Sequence, residues 1–216
     1  YSSAVDDIIT DLFQNGESSK SSKNDCYAAE YSDTGYSVTF DNCSFDDGEI
    51  INGSLVVTYK EGEESSAFTA TYNNLTVGDI AINGTRSFTI NSSSEGNDIS
   101  FDIVSDMSVK LADGSIIEEM GSKNFTFVFD SENFEESVLI IDGDWTVKAD
   151  GNTYTVNITS PLRTNFFNCE HASEGVMSLN KNGLAVTIDF GDGTCDDVAD
   201  MTYPDGTVEE IKLGDI

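Results

Sequence analysis

Apolar and polar residues alternate with a period of two along most of the chain. Phenylalanine, tyrosine, valine and isoleucine alternate with more polar residues, most clearly at 36–40, 55–59, 68–72, 99–103, 125–129, 145–148, 154–158 and 184–190. This period is typical of antiparallel strands that bury one face. Turn-forming clusters rich in glycine separate these runs, at 46–48, 61–64, 112–114, 149–151, 181–183 and 204–206. The pattern predicts an all-β antiparallel meander of about 11–12 strands in which sequence neighbours pair.

The first residues follow a different period. Four apolar residues recur there at the spacing of one helix face, namely Val5, Ile8, Ile9 and Leu12. This spacing predicts a short N-terminal helix over 3–13, followed by a polar segment rich in serine. We therefore expect a helix and linker over 1–24 and a single all-β domain over 25–216.

The alternation leaves one face of the predicted sheet apolar, and that face must be covered. No later segment has helical spacing that could supply a covering layer. The sheet is therefore expected to be a curved sheet, an open barrel or a two-layer sandwich. If it curls without closing, an apolar cavity for a ligand would remain.

A motif centred on Ile-x-Gly occurs three times, within 48–59, 78–90 and 138–149. A glycine inside an alternating run favours a β-bulge or a tight bend. Each copy is therefore predicted to mark an irregular point in the sheet.

Four cysteines occur in two sequence-local pairs, which predicts the disulfides Cys26–Cys43 and Cys169–Cys195. Each would contribute on the order of 3 kcal/mol in the chain-entropy model. A zinc site is not indicated, since there is no Cys-x-x-Cys and the sequence has one histidine. Disulfides are typical of an oxidising compartment, so we expect export. The opening YSSAVDDII has no basic and apolar signal regions, which predicts a mature chain.

The composition is strongly acidic, with 40 Asp and Glu against 10 Lys and Arg and a net charge of −30. Such a field repels nucleic acid and anionic lipid surfaces, and it favours solubility and cations. Asn-x-Ser/Thr sequences, which are glycan acceptors in eukaryotic secreted proteins, occur at Asn42, Asn52, Asn74, Asn83, Asn91, Asn124 and Asn157.

Catalytic motifs are absent from the sequence. The single histidine, His171, lies two residues after Cys169, and we interpret it as a loop residue. There is no Gly-x-Ser-x-Gly elbow and no phosphate-binding glycine loop. We expect no catalytic residues and no organic cofactor, although a hydrolase using a pair of carboxylates stays open.

The stretch DFGDGTCDD at 189–197 has two interpretations. Calcium prefers several oxygen ligands, which Asp189, Asp192, Asp196 and Asp197 could supply. Aspartate and glycine are equally typical of turns, and a disulfide at Cys195 would fix such a turn. The stretch does not follow the EF-hand pattern, so we favour the turn and retain calcium as the alternative. The similar stretch IDGDW at 141–145 is a weaker candidate.

The C-terminal third resembles an uncharacterised family of outer-membrane or surface lipoproteins from flavobacteria and other Bacteroidetes. Its order is a tryptophan strand, a glycine turn, a PLR segment, a cysteine, and then GDGTCD before a final hairpin. The matching residues are Trp145, Gly151, Pro161, Leu162, Arg163, Cys169, Gly175, Gly191, Asp192, Gly193, Thr194, Cys195 and Asp196. In the first half, FDNC and INGSLVVTY also fit. The resemblance implies export and an N-terminal lipid anchor. The lipidated cysteine itself is not part of this sequence.

We therefore predict an exported, non-enzymatic surface β-protein with a binding or structural role, on the outer membrane, at its periplasmic face or outside the cell. A carrier of an apolar ligand in a half-barrel is the first alternative, and a carboxylate-pair glycan hydrolase is the second. The partners that the sequence leaves open are a glycan, an apolar ligand or a second copy of the chain through exposed strand edges.

Overall fold

The computed structural model describes residues 21–23, 26–44, 49–61, 65–92, 98–165 and 167–215. The helix predicted over 3–13 lies outside these residues. The described strands form one antiparallel sheet in strict sequence order. They are β1 (Ser21–Lys23), β2 (Tyr27–Ser32), β3 (Gly35–Cys43), β4 (Ile51–Glu61), β5 (Ser65–Val77), β6 (Ile80–Ser92), β7 (Asp98–Lys110), β8 (Ile116–Val128), β9 (Val138–Ala149), β10 (Asn152–Thr164), β11 (Glu174–Lys181), β12 (Leu184–Asp192), β13 (Val198–Thr202) and β14 (Val208–Lys212).

The predicted all-β meander is confirmed. Each described strand pairs with the strand next to it in sequence, and the sheet order runs from β1 to β14 without a crossover. The sheet does not close on itself, which fits the curved sheet among the three forms expected. It has fourteen described strands instead of 11–12, and one of them, β1, forms within the segment expected to be a linker.

The strand register places the apolar residues of the alternation on one side of the sheet. One row of directly opposed residues crosses β3 to β9 on that side: Val38, Leu55, Tyr72, Gly84, Met107, Glu119 and Val147. We call this side of the sheet the apolar face and the other side the polar face. Since side chains alternate across a strand, residues two apart in a regular strand share a face.

The apolar face is well buried near the two ends of the sheet. In the N-terminal core, Val38 is 0% exposed and Leu55 is 1% exposed. A smaller core forms around β10, β12 and β13, and it comprises Ile158, Leu162, Ile188, Phe190 and Ala199. These two cores supply most of the fully buried apolar area of the described residues.

The middle of the sheet is different, because its apolar face is only half-buried. Within the described strands β8 and β9 no residue is fully buried, and in β7 the buried residue is Ser105. Each of these strands makes its extensive contacts with the strands directly before and after it in the sequence. The centre of the molecule is therefore a single layer, where the same alternation does not produce a packed core.

The Ile-x-Gly repeats coincide with irregular pairing, as predicted. The β3–β4 ladder shifts between Phe40 and Cys43, and the β5–β6 ladder shifts between Tyr72 and Leu75. The extra residues include asparagines at positive φ: Asn42 at 56° and Asn74 at 46°. Each donates its backbone N–H to the asparagine of a following Ile-Asn-Gly motif, at 2.7 Å in both cases. The acceptors are the side-chain oxygens of Asn52 and Asn83. These asparagines therefore support the bulges.

The structure forms both predicted disulfides, Cys26–Cys43 and Cys169–Cys195. The first joins the start of β2 to the end of β3 beside the N-terminal core. The second joins the loop after β10 to the loop after β12. Two disulfides support an oxidising environment for the folded protein.

Tyr36 is a polar residue inside the N-terminal core. It is 4% exposed, and its ring lies 5.9 Å from that of Tyr31 and 6.1 Å from that of Tyr59. Among the described residues no atom forms a hydrogen bond with the Tyr36 hydroxyl. Burial raises the pKa of this phenol well above its ordinary value.

We predict that Tyr36→Phe raises the free energy of unfolding by about 1 kcal/mol, because it removes a buried hydroxyl that lacks a partner. The folded pKa of Tyr36 is raised, so its contribution to stability is lost as pH rises above the unfolded value of about 10. The variant should therefore lose less stability than the wild type above that pH. Urea unfolding at neutral and alkaline pH measures both effects.

Tyr203→Phe is the matched control, since that exposed hydroxyl donates to Glu209 Oε2 at 2.8 Å. It should leave the stability at neutral pH close to that of the wild type. A loss of more than about 1 kcal/mol in Tyr36→Phe would show that the buried hydroxyl makes a stabilising interaction.

Candidate functional site: the apolar face of the central strands

A charged cluster lies on the apolar face in the middle of the sheet. Arg86 in β6 donates from Nε to Ser105 Oγ at 3.1 Å and from Nη2 to Glu119 Oε1 at 3.4 Å. Lys123 Nζ lies 3.3 Å from the same Glu119 oxygen. The three charged side chains are 24–30% exposed. One carboxylate therefore serves two cations, which leaves the cluster with a net positive charge.

The register explains how these side chains meet. Arg86, Ser105, Gly121 and Trp145 are directly opposed across β6 to β9. Glu119 and Lys123 flank Gly121 in β8, on the same face. Gly121 contributes no side chain to this row, and Trp145 Cα and Cβ lie close to the position that its Cβ would take. The two long charged side chains of β8 flank this glycine.

Trp145 is the single tryptophan of the sequence, and it borders the cluster on the β9 side. Lys123 Nζ lies 5.0 Å from the centroid of its ring. A cation over an indole face is attracted by the ring quadrupole, by about 0.5–2 kcal/mol depending on exposure. Trp145 fluorescence therefore reports directly on this cluster.

The charge on the two faces of β6–β9 differs in sign. The apolar face of these strands carries Arg86, Lys123 and one acid, Glu119. By register, the polar face of the same strands carries the lysines 110 and 148 and six acids: Asp98, Asp102, Asp106, Glu118, Asp142 and Asp144. In a chain with a net charge of −30, the central apolar face is thus a locally cationic surface.

Aromatic rings lead from the central strands toward the C-terminal part of the sheet. Phe127 contacts Phe101 edge-on at 5.9 Å and lies 6.3 Å from Phe129. Phe129 stacks on Phe134 at 5.9 Å, and Phe134 contacts Phe167 at 5.0 Å. Phe134 is 57% exposed and Phe167 is 47% exposed. We call these five residues the aromatic track.

The aromatic track ends at an open groove of about 660 Å³. Leu139, Ile141 and Leu162 from the apolar face line the groove, together with Phe167 and Ala172. Its polar lining includes His171, whose backbone carbonyl accepts a hydrogen bond from Thr164 Oγ1 at 2.8 Å. His171, which the sequence predicts to be a loop residue, lies in a loop that borders this groove.

The four aspartates of the DFGDGTCDD stretch lie at the end of β12 and in the loop that follows. Asp189 accepts the Gly191 N–H at 3.0 Å, and Asp196 accepts the Val198 N–H at 3.2 Å. Asp192 accepts the Thr194 hydroxyl at 2.8 Å, and this bond lowers the pKa of Asp192. Asp197 accepts the Leu213 N–H through its backbone carbonyl at 2.8 Å. Among the described residues, no group of three or more His, Cys, Asp or Glu is arranged to hold a metal ion.

Arg86, Glu119 and Lys123 were not predicted from the sequence. Each is a polar residue at an apolar-face position of an alternating run, and that interruption of the pattern is the signal that could have found them. Alternation shows that they share a face, but the pairing of β6 with β7 and of β7 with β8 was needed to bring them together.

Comparisons of the chain with protein-family models, with curated proteins and with solved structures each gave no match. The resemblance to flavobacterial lipoproteins therefore stays a prediction. Within the described part of the chain, no helix is long and apolar enough to cross a membrane.

We predict that Gly121→Ala disrupts the centre of the sheet. At Gly121 the φ angle is +138°, and an added Cβ would lie 2.3 Å from the carbonyl oxygen of Asp144. The backbone strain and this clash should lower the free energy of unfolding by about 3 kcal/mol or more. Thermal and urea unfolding of the purified variant measure the loss.

Gly114→Ala is the matched control for backbone strain alone. Gly114 also has positive φ, at +87°, but an added Cβ would meet no atom within 4 Å. It should cost about 1–2 kcal/mol. Equal losses in the two variants would contradict the close approach of β8 and β9.

We predict that Thr194→Val raises the pKa of Asp192 toward its ordinary value of about 3.9, because the variant removes the hydroxyl that stabilises the carboxylate. Since the folded pKa of Asp192 is lowered, its contribution to stability is present above the unfolded pKa. That contribution is lost as pH falls through the folded value. A carboxyl NMR titration of both proteins measures the shift.

The same samples also test whether calcium binds to the carboxylates of Asp189, Asp192, Asp196 and Asp197. If their carboxylates act as acceptors within turns, millimolar calcium should leave the melting temperature unchanged. A rise that Asp192→Asn abolishes would show instead that the stretch binds calcium.

Proposed function

We propose that this protein is an exported, non-enzymatic surface protein that binds a ligand with apolar surface on the apolar face of its central strands. The half-buried apolar face of β7–β9, together with the part of β6 beyond Ile82, carries the proposal. Uncovered apolar area of this kind marks an interaction surface in a soluble protein. The two disulfides support export, and a position at the outer membrane with a lipid anchor rests on the resemblance alone.

The geometry favours binding over a purely structural role. A structural β-domain would bury its apolar face in a continuous core, as the two ends of this sheet do. In the centre, the aromatic track and the groove beside it present exposed apolar surface, with Phe134 and Phe167 about half exposed. A ligand with apolar surface would gain burial there without any change in the strand order.

A carboxylate-pair hydrolase has less support. The carboxylate of the central apolar face, Glu119, forms ion pairs with Arg86 and Lys123, and by register this face of β6–β9 carries no second acid to complete a catalytic pair. On the polar face, the two carboxylate oxygens of Asp102 accept from Asn91 at 2.9 Å and from Asn124 at 2.6 Å. Both oxygens of this carboxylate are therefore engaged by side chains of the neighbouring strands.

We predict that monododecanoyl glycerol, an uncharged amphiphile used below its micelle concentration, changes the emission of Trp145 in a saturable titration. Phe134→Ser should weaken its binding about three- to tenfold, because the variant removes an exposed ring of the aromatic track. Met120→Ser is the matched control: Met120 is also 57% exposed but lies on the polar face. The affinity of the control should match that of the wild type.

Absence of a saturable change with both monododecanoyl glycerol and dodecanoate, checked by calorimetry, would overturn the proposed binding function. Equal weakening by Phe134→Ser and Met120→Ser would show that binding does not depend on the apolar face.

A further inference from the structure

We propose that the ligand of the apolar face is a free amphiphile with an anionic headgroup, such as a carboxylate or a sulfate, and that Arg86 and Lys123 bind this headgroup. The inference rests on the proposed binding function and specifies its ligand class. The apolar chain of the amphiphile lies along the aromatic track.

The charge of the site is the first argument. The chain has 10 basic residues and 40 acidic ones, yet Arg86 and Lys123 lie together on the apolar face with one shared acid. A purely apolar ligand would gain nothing from this arrangement, and partial burial of two cations costs desolvation energy. An anionic headgroup would offset that cost by pairing with the excess positive charge.

The donor geometry is the second argument. A guanidinium has five N–H donors, and the contacts of Arg86 with Ser105 and Glu119 come from Nε and Nη2. The side chain is 30% exposed, so water or a ligand can reach it. Arginine binds carboxylate and sulfate-like oxygens with charge-assisted hydrogen bonds, while lysine adds a point charge. Both cations lie beside Gly121 on the apolar face.

The surroundings of the cluster favour an amphiphile over a sugar. By register, the uncharged polar side chains on the apolar face of β6–β9 are the serines 92 and 105, and apart from the charged cluster the other side chains there are apolar. Sugar hydroxyls would find few hydrogen-bond partners on such a surface. An alkyl chain instead gains burial against it.

The spacing of side chains along β8 fits an amphiphile whose headgroup lies at Lys123 and whose alkyl chain lies on the phenylalanines that follow. Lys123, Phe125 and Phe127 follow one another on the apolar face of this strand. At about 3.3 Å per residue, Lys123 and Phe127 are separated by roughly 13 Å. From Phe127 the aromatic track continues through Phe129 to the groove, so an extended chain of medium length would lie on apolar surface throughout.

A free molecule fits better than the surface of a membrane. The net charge of −30 repels an anionic bilayer that faces the whole protein. A single amphiphile meets only the locally cationic centre of the apolar face. The ligand is therefore a single amphiphile molecule in solution and not a membrane surface.

The test compares dodecanoate with monododecanoyl glycerol, which has the same acyl chain and no charge. Both are titrated below their micelle concentrations, with Trp145 emission and calorimetry as readouts. We expect dodecanoate to bind the wild type about tenfold more tightly, as charge-assisted hydrogen bonds to the headgroup require. This comparison needs no variant.

The variant Arg86→Gln/Glu119→Gln/Lys123→Gln neutralises the whole cluster, so no partly buried charge loses its partner. It should bind the two ligands with affinities within about twofold of each other. The control is Glu118→Gln/Lys148→Gln, which removes an exposed ion pair of 3.1 Å from the polar face of the neighbouring strands β8 and β9. It should keep the preference for dodecanoate, and circular dichroism confirms folding of both variants.

Each result decides between the ligand class and the binding function. Equal affinity of the wild type for both ligands, or a preference that survives in the cluster variant, overturns the headgroup assignment and leaves the binding function standing. Failure of both ligands to bind overturns the headgroup assignment and the binding function together.

Alginate, a polyuronate without an alkyl chain, should not compete with dodecanoate, and phosphatidylglycerol vesicles should not bind. Competition by alginate would contradict the proposal that the ligand is an amphiphile. Binding to vesicles would contradict the proposal that the ligand is a free molecule.

Discussion

The cost of leaving apolar surface in contact with water is the constraint on which this structure depends. A strictly alternating chain makes a sheet with one apolar face, and that face has to be buried by the sheet itself or by a partner. At the ends of the sheet, side chains such as Val38 and Ile188 are buried in the two cores. In the middle, β7 to β9 form a single layer whose apolar face stays half-exposed.

The polar residues on the apolar face gain their significance from this arrangement. In a packed core, Arg86, Glu119 and Lys123 would be expensive to bury. On a half-exposed face they keep contact with water, and one carboxylate between two cations makes the surface locally positive. The same strands carry acids on the polar face, so the single-layer sheet separates charge by side. That separation underlies the inference of an anionic headgroup.

Irregular residues in regular strands give the sheet its particular shape. Asn52 and Asn83 support bulges by accepting N–H groups of residues with positive φ. Gly121 permits a backbone approach to Asp144 that a side chain would block. The sequence repeats pointed to such positions, since Asn-Gly within an alternating run is poorly suited to a regular strand. Which of the two paired strands carries the extra residue of each bulge could be known only from the pairing partners in the structure.

The sequence by itself determined the strand pattern, the order of pairing and both disulfides, because alternation, turn chemistry and cysteine spacing are local properties. It also favoured a turn for the DFGDGTCDD stretch, where Asp189, Asp192 and Asp196 accept hydrogen bonds from residues two positions ahead. Only the tertiary structure decided that the centre of the sheet has no second layer and that Arg86, Ser105, Glu119 and Lys123 meet. These residues lie on three different strands, and their contact depends on register across the sheet, a non-local property that no short stretch of sequence encodes.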